Sequence, residues 1–204
     1  MPKLNYCTIN WFLTYQEYLD QFAKQANIES KVSLSEAEKN KTEFIKLNFQ
    51  RSSRLEKTFE PDNESYQVFS QITQKQQWII ITESWCGDSA QSVPVIAKLA
   101  QINGNIDLKI VFRDSNLDFM DLYLTNGGRS VPKLIAFDEN NNELFQWGPR
   151  PAFAQNLMME MKNNGVPKDE MNKSLHLWYG RNRGKEIEKE LLEIVKNLKQ
   201  PICL

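Results

Sequence analysis

The sequence predicts an α/β fold in which a four-stranded mixed sheet is flanked by helices, with further helices added at both ends. Helical segments and short β-branched runs alternate between residues 64 and 162 in the order α-β-α-β-α-β-β-α. Strands joined through a helix pair in parallel, with a right-handed crossover. The last two strands are separated by a short turn at 139–142, so they must pair antiparallel.

The N-terminal segment predicts two long helices and one short one. The first covers residues 10–27 and the third covers about 64–73. The second covers about 35–59, with Ser33 and Ser35 as candidate N-caps. The apolar stripe of the first helix comprises Phe12, Tyr15, Leu19, Phe22 and Ala26. The inner stripe of the second comprises Phe44, Leu47, Leu55 and Phe59.

A basic row recurs every third residue on the second helix, at Arg51, Arg54 and Lys57. The ordinary interpretation of such a row is a solvated helix face. The alternative is a docking surface for an acidic partner or for the loops of an active site.

The central elements follow from periodicity and turn residues. Strands are expected at 78–82, 106–112, 133–137 and 144–147, and a helix whose first turn contains Asp88 and Ser89 and which continues to Ala100. We expect Asp118 to cap a short helix that ends near Leu124, and Pro151 to start a helix that ends near Lys162.

Two more helices are expected after residue 167. One covers 168–179, and the last carries an apolar face comprising Ile187, Leu191, Ile194, Val195 and Leu198. The chain is accordingly divided into an N-terminal helical extension (1–62), a core (63–164) and a C-terminal helical extension (165–204) packed on that core.

Composition excludes several classes of protein. A net charge of −1 over 204 residues gives no electrostatic case for nucleic acid or an anionic membrane. No apolar run approaches the ~20 residues that span a bilayer, and no signal-peptide core is present. Three cysteines at positions 7, 86 and 203 are too few for a disulfide scaffold. We therefore expect a cytoplasmic protein.

The stretch Trp85-Cys86-Gly87-Asp88-Ser89 stands where the first predicted strand turns into a helix. A cysteine at a helix start meets unpaired backbone N–H groups and the positive end of the helix dipole, which favour the reactive thiolate. The alternative is an inert cysteine packed as a small apolar side chain.

These residues resemble the W-C-G-x-C active site of thioredoxins. Ser130-Val131-Pro132 resembles the loop whose proline is cis in that superfamily, and the order of elements from 77 to 162 is similar too. The resemblance covers about half the chain and looks closest to bacterial thioredoxin-family proteins with W-C-G-D and extra terminal helices. It implies a thioredoxin-like fold in which Trp85, Gly87, Val131 and Pro132 lie beside the substrate.

The chain also departs from the thioredoxin pattern. Ser89 stands in place of the second cysteine and cannot resolve a mixed disulfide, because that step requires a thiol. Ile80 and Ile110 replace the buried aspartate and lysine that serve proton transfer in thioredoxins. The chemistry that the resemblance leaves to Cys86 is monothiol.

Asp88 is a further departure, because a negative charge near Cys86 raises the pKa of the thiol. Arg129 and Arg150 are the candidate cations that would oppose it, and we expect Asp88 to pair with one of them. The alternative is that both arginines are solvated.

Other reactive residues carry weaker signals. Cys7 and Cys203 are candidate resolving thiols, but incidental roles are the simpler interpretation. His176 stands among apolar residues and is interpreted as packing in the appended helix rather than as a base. No metal-site spacing or phosphate-binding glycine loop is present.

Three functions therefore compete. The first is thiol–disulfide exchange or deglutathionylation through Cys86, with a disulfide-bearing or glutathionylated protein as substrate and an external thiol as reductant. Glutathione is then a candidate co-substrate, and no resident cofactor is expected. The second is a redox-inactive module that binds a peptide or partner. The third is glutaredoxin-like binding of an iron–sulfur cluster with glutathione, since Cys86-Gly-Asp-Ser89 is similar to the monothiol motif Cys-Gly-Phe-Ser.

Overall fold

Four strands form one mixed sheet, in the spatial order β2-β1-β3-β4. The strands are β1 (Gln76–Thr82), β2 (Ile106–Phe112), β3 (Lys133–Asp138) and β4 (Glu143–Trp147). β1 runs parallel to β2 and antiparallel to β3, and β3 pairs antiparallel with β4. The structure is a computed structural model that describes residue 9, residues 11–27 and residues 35–198.

Eight α-helices surround the sheet in the described part of the chain. They are α1 (Tyr15–Ala26), α2 (Glu36–Thr58), α3 (Asn63–Ser70), α4 (Gly87–Ala100), α5 (Leu117–Met120), α6 (Ala152–Asn163), α7 (Lys168–Asn182) and α8 (Lys185–Leu198). The predicted fold class is confirmed: a thioredoxin-like mixed sheet lies between helices, with extra helices at both ends. The boundaries proposed between core and extensions stay a prediction.

Alternation along β1 creates a core on each face of the sheet. Trp78 and Ile80 pack into the larger core, with side chains from α1, α2, α4 and α8. Ile79 and Ile81 point to the opposite face and pack with α5. A strand that is buried on both faces has a nearly continuous run of apolar residues, and β1 has such a run.

The first helix begins later than predicted. It starts at Tyr15, where Thr14 and Glu17 form a capping box. Leu13 exchanges two backbone hydrogen bonds of 2.8 Å with Ile110 of β2, so residues 12 and 13 run alongside the sheet edge instead of extending the helix. Pairing of this kind covers an edge strand that would otherwise be open.

The predicted inner stripe of α2 is half wrong. Ser35 caps the helix in a capping box with Glu38, as expected, while Ser33 lies outside the described residues. Leu55 and Phe59 are buried, but Phe44 is 57% exposed and Leu47 is 41% exposed. The helix buries the polar side chains of Asn48 and Ser52 instead.

Three other helix boundaries need correction. Asp118 does not cap α5, which begins at Leu117 after Asn116 and ends at Met120. α3 ends at Ser70, three residues before the predicted end. α7 continues to Asn182, and Arg183 then adopts a left-handed conformation that ends it.

The last helix packs on α3, α4 and β4. Ile187, Leu191 and Val195 of the predicted apolar face are buried, whereas Leu198 is partly exposed. Glu188 is buried on the same helix and accepts hydrogen bonds from the Asp62 backbone N–H and the Lys185 ammonium, both at 2.7 Å. None of the helices in the described part of the chain has both the length and the apolar character to cross a bilayer.

We expect Leu191→Ala to lower the free energy of unfolding by about 2–5 kcal/mol, because it leaves a cavity in the main core. Leu177→Ala is the matched control, since Leu177 is 55% exposed, and should change stability by less than about 0.5 kcal/mol. Urea denaturation measures both. Equal effects would show that α8 does not share the core of the sheet.

Candidate active site

Cys86 lies where the turn after β1 becomes α4. It is the N-cap residue of α4: its N–H donates to the Glu83 carbonyl at 3.1 Å, and its carbonyl accepts from the Ala90 N–H at 3.1 Å. The side chain is 9% exposed. Its thiol donates a hydrogen bond to the Val131 carbonyl at 3.1 Å. The strand–turn–helix junction expected for this motif is therefore present.

Two loops lie near Cys86 and Asp88: one directly precedes β3, and the other directly follows β4. The Val131–Pro132 and Gly148–Pro149 peptide bonds are both cis. Gly148 has φ +108°, and a Cβ atom there would lie 2.4 Å from the Pro132 carbonyl oxygen. Glycine is therefore required where the two loops meet.

Asp88 is held by two partners. Its Oδ2 accepts a hydrogen bond from Arg150 Nη2 at 2.6 Å, and its Oδ1 accepts from the Tyr179 hydroxyl at 2.7 Å. The Asp88 side chain is 9% exposed and that of Arg150 is 20% exposed. The expected ion pair with Arg150 is confirmed, while Tyr179 of α7 was not anticipated from the sequence.

Arg129 is not the cation that opposes Asp88. Its guanidinium makes a bidentate ion pair with Asp121, with N···O distances of 2.6 and 2.7 Å. The Arg129 backbone carbonyl accepts a hydrogen bond from Arg113 Nη1 at 3.1 Å. The Arg113 guanidinium in turn lies 4.7 Å from the centre of the Trp85 ring, which is a cation–π distance.

The surroundings of Cys86 oppose the thiolate that we expected at this helix start. Burial raises the pKa of the Cys86 thiol, and the nearby Asp88 carboxylate raises that pKa further. The Ser89 hydroxyl and the backbone N–H groups of Asp88 and Ser89 favour the thiolate but do not outweigh burial. Burial also raises the pKa of Asp88, against the opposing effects of Arg150 and Tyr179.

A cleft of about 700 Å³ opens above the motif. Trp85, Cys86, Gly87 and Asp88 line its floor, and side chains of α2 and α7 line its walls. The exposed Phe44 belongs to these walls, which explains an apolar residue on α2 that the core does not bury. The terminal helices thus build the site as well as extending the fold.

Helix α2 is attached to the turn before Cys86. Asn48 Nδ2 donates to the Ser84 carbonyl at 3.2 Å, and Arg51 Nη1 donates to Asn48 Oδ1 at 2.9 Å. Arg51 therefore faces the cleft, whereas Arg54 and Lys57 are exposed outside it. The ordinary interpretation of the basic row thus holds for Arg54 and Lys57, which are solvated, while Arg51 belongs to the site.

His176 of α7 lies against the motif, where the sequence pattern indicated only packing. Its Cε1 and Nε2 atoms are 2.6 and 2.9 Å from the position that a Cβ on Gly87 would occupy. Burial, with Arg51 and Arg150 nearby, lowers the pKa of His176 to about 4, so the ring is neutral at pH 7. Nδ1 is buried without a hydrogen-bond partner in the described part of the chain.

A model of the family described as "Thioredoxin" matches residues 36–162, which is more than half of the sequence. The chain belongs to the thioredoxin family. A search of curated proteins finds no match.

Two solved structures resemble this thioredoxin-family chain. One is a protein of unknown function from Pseudomonas aeruginosa, with 16% identity and a TM-score of 0.55, and the match covers 91% of this chain and 98% of that one. The other is an HIV epitope-scaffold, with 17% identity and a TM-score of 0.53, covering 91% of this chain and 99% of that one. At such identities the likeness concerns the fold alone.

Two of the departures from the thioredoxin pattern lie in the interior. Ser89 is fully buried in the first turn of α4. Ile80 and Ile110 face each other as partners in the β1–β2 register, and both are fully buried in the larger core. Cys7 and Cys203 lie outside the described residues. Among those described, no group of three or more metal-ligating side chains occurs.

We expect Asp88→Asn to lower the pKa of Cys86, because it removes a negative charge and leaves Arg150 unneutralised. Below its pKa a thiol gains thiolate tenfold for each unit by which that pKa falls, while each thiolate becomes about threefold less nucleophilic, so alkylation by iodoacetamide at pH 7 should accelerate by about threefold per unit. The control is Asp107→Asn, an exposed carboxylate on β2. Unchanged or slower alkylation in Asp88→Asn would contradict the assigned electrostatics.

Gly87→Ala tests the contact with His176. The added methyl group would overlap the imidazole, so we expect a loss of about 1–3 kcal/mol in the free energy of unfolding. In a His176→Ala background the same change should cost at least about 0.5 kcal/mol less. Gly180→Ala is the control, because nothing lies within 4 Å of its Cβ position. Additive effects at positions 87 and 176 would show that the two residues do not touch.

Proposed function

We propose that this thioredoxin-family chain is a monothiol thiol–disulfide exchange protein that reacts through Cys86, with deglutathionylation as one form of the reaction. The observation that carries the proposal is the position of the Cys86 sulfur, at the start of α4 on the floor of the cleft. The sulfur also lies within hydrogen-bond distance of the Val131 carbonyl, next to Pro132. A disulfide entering the cleft would meet it there.

The proposed reaction has two exchange steps. The Cys86 thiolate attacks one sulfur of a disulfide R–S–S–R′, so that the Cys86–S–S–R bond forms as the S–S bond breaks and R′–S⁻ leaves. R′–S⁻ is thereby reduced and takes up a proton from water. A second thiolate, such as that of glutathione, then attacks the mixed disulfide and releases Cys86 together with an oxidised disulfide. Ser89 has no thiol with which to perform that second step.

The raised pKa of Cys86 changes the fraction of thiolate, its nucleophilicity and its rate as a leaving group. Each unit of increase cuts the thiolate fraction about tenfold at pH 7, but the thiolate that forms is about threefold more nucleophilic. A thiol of high pKa is also a slow leaving group, so a mixed disulfide on Cys86 would persist until an external thiol arrives. Slow turnover through a long-lived mixed disulfide is the expected behaviour.

The surrounding residues take distinct proposed roles. Trp85 and Gly87 form the floor on which the substrate lies, and the backbone of Val131 beside Pro132 orients the thiol. Asp88, paired with Arg150, sets the protonation of Cys86 rather than touching the disulfide. Ser89 has no thiol and so cannot resolve the mixed disulfide within the motif.

A second candidate function is a partner-binding module without redox chemistry. The 9% exposure of Cys86 and the raised pKa of its thiol favour it, because both reduce reactivity. In that case the cleft and the terminal helices would recognise a partner, and the thiol would be a packing group.

Turnover of a glutathionylated peptide in the presence of reduced glutathione distinguishes the two candidates. Cys86→Ser should reduce the rate by at least about 100-fold, since exchange requires a thiolate. Cys7→Ser with Cys203→Ser is the matched control and should retain the rate. Intact-protein mass spectrometry should also find one glutathione bonded to Cys86. Turnover that survives Cys86→Ser, or a wild-type chain that never forms the mixed disulfide, would overturn the proposal.

A further inference from the structure

We propose that the cleft above Cys86 selects small disulfides that carry carboxylates, and that Arg51 binds one of those carboxylates. This inference rests on the proposed function and names its substrate class. Three features of the cleft carry it: its size, the cations that line it, and the donors of Arg51 that no described residue uses.

The size of the cleft suits a small molecule. A volume of about 700 Å³ lies in the range of roughly 300–1,000 Å³ typical of small-molecule sites. Both walls are tied to the motif itself, α2 through Asn48 to Ser84 and α7 through Tyr179 to Asp88. A peptide-sized disulfide fits the volume between these two helices.

The cleft carries an excess of positive charge. Two carboxylates line it, and both are paired: Asp88 with Arg150 at 2.6 Å, and Asp114 with Arg113 at 2.7 Å. Lys41, Arg51 and Lys168 also line the cleft, and none of the three forms an ion pair with a described carboxylate. An anion entering the cleft would meet Arg51 and Lys168, and also Lys41, whose charge lies near the Glu83 carboxylate.

Arg51 is placed to use this charge close to the reacting sulfur. Its Nη1 lies 3.7 Å from the Cβ position of Gly87, the residue after Cys86, and the side chain is half-buried. Its hydrogen bond to Asn48 uses one of five N–H donors, and that bond fixes the guanidinium. The remaining donors can bind a carboxylate through two parallel hydrogen bonds. Because the side chain is partly buried, water competes less for these donors.

The remaining walls suit the uncharged part of such a ligand. Phe44, Trp85, Met158 and Leu175 present apolar surface, which matches methylene groups and sulfur. The ligand class is thus a compact disulfide with carboxylates a few bonds away from the sulfur.

The test compares three small disulfides on the Cys7→Ser, Cys203→Ser chain. Oxidised glutathione is anionic, bis(2-hydroxyethyl) disulfide is neutral and cystamine is cationic, and mass spectrometry measures the rate at which each bonds to Cys86. We expect rates to fall from anionic to neutral to cationic after correction for the intrinsic reactivity of each disulfide with free cysteine. Arg51→Gln should lower the anionic-to-neutral ratio about tenfold, which corresponds to loss of a charge-assisted contact. Arg54→Gln, the next basic residue on the same helix but outside the cleft, should leave it within about twofold.

A binding arm separates this inference from the proposed function. Calorimetry with S-methylglutathione on the Cys86→Ser chain should show binding that Arg51→Gln weakens and Arg54→Gln does not. Such binding without any exchange in the first experiment would support the anion site while the exchange function fails. Exchange with all three disulfides at equal corrected rates, or equal effects of Arg51→Gln and Arg54→Gln, would overturn the inference and leave the function standing. No binding and no exchange would overturn both.

Discussion

The buried carboxylate of Asp88 joins three separate parts of the molecule. It stands in the first turn of α4, and it accepts hydrogen bonds from Arg150 of the loop after β4 and from Tyr179 of α7. Breaking such a buried pair by removing one partner costs about 3–5 kcal/mol, because a charge is left uncompensated. The position of α7 over the motif, and with it one wall of the cleft, depends on this interaction.

The same carboxylate governs the chemistry of Cys86. A helix start stabilises a neighbouring negative charge by about 0.3–1 kcal/mol, up to ~2 in buried geometries, and one pKa unit corresponds to about 1.4 kcal/mol. Burial can shift the pKa of an ionisable group by about 3–5 units in the opposite direction. Burial therefore wins over the helix start, and the Asp88 charge adds to it. Both effects raise the pKa of the Cys86 thiol.

Local signals in the sequence predicted most of the fold. The β-branched runs, the Ser35 cap and the turn at 139–142 are each decided by a few adjacent residues, and the structure contains all of them. The motif residues and the Asp88–Arg150 pair followed from the position that the motif takes in the resembling fold. Tyr179, His176 and Arg51 could not be found in this way, because each reaches the site from a helix whose placement depends on tertiary packing. The prediction that Phe44 faces the core was wrong for the same reason. An apolar residue that lines a cleft has the same sequence spacing as one that faces a core.

Burial and the Asp88 carboxylate both favour the thiol form of Cys86. The most direct test is an NMR titration of the cysteine ¹³Cβ signal in a chain whose other two cysteines are replaced by serine. We expect the Cys86 titration to have a midpoint above the value of about 8.5 for a free cysteine. A midpoint below that value would contradict it, and would mean that the start of α4 dominates the site after all.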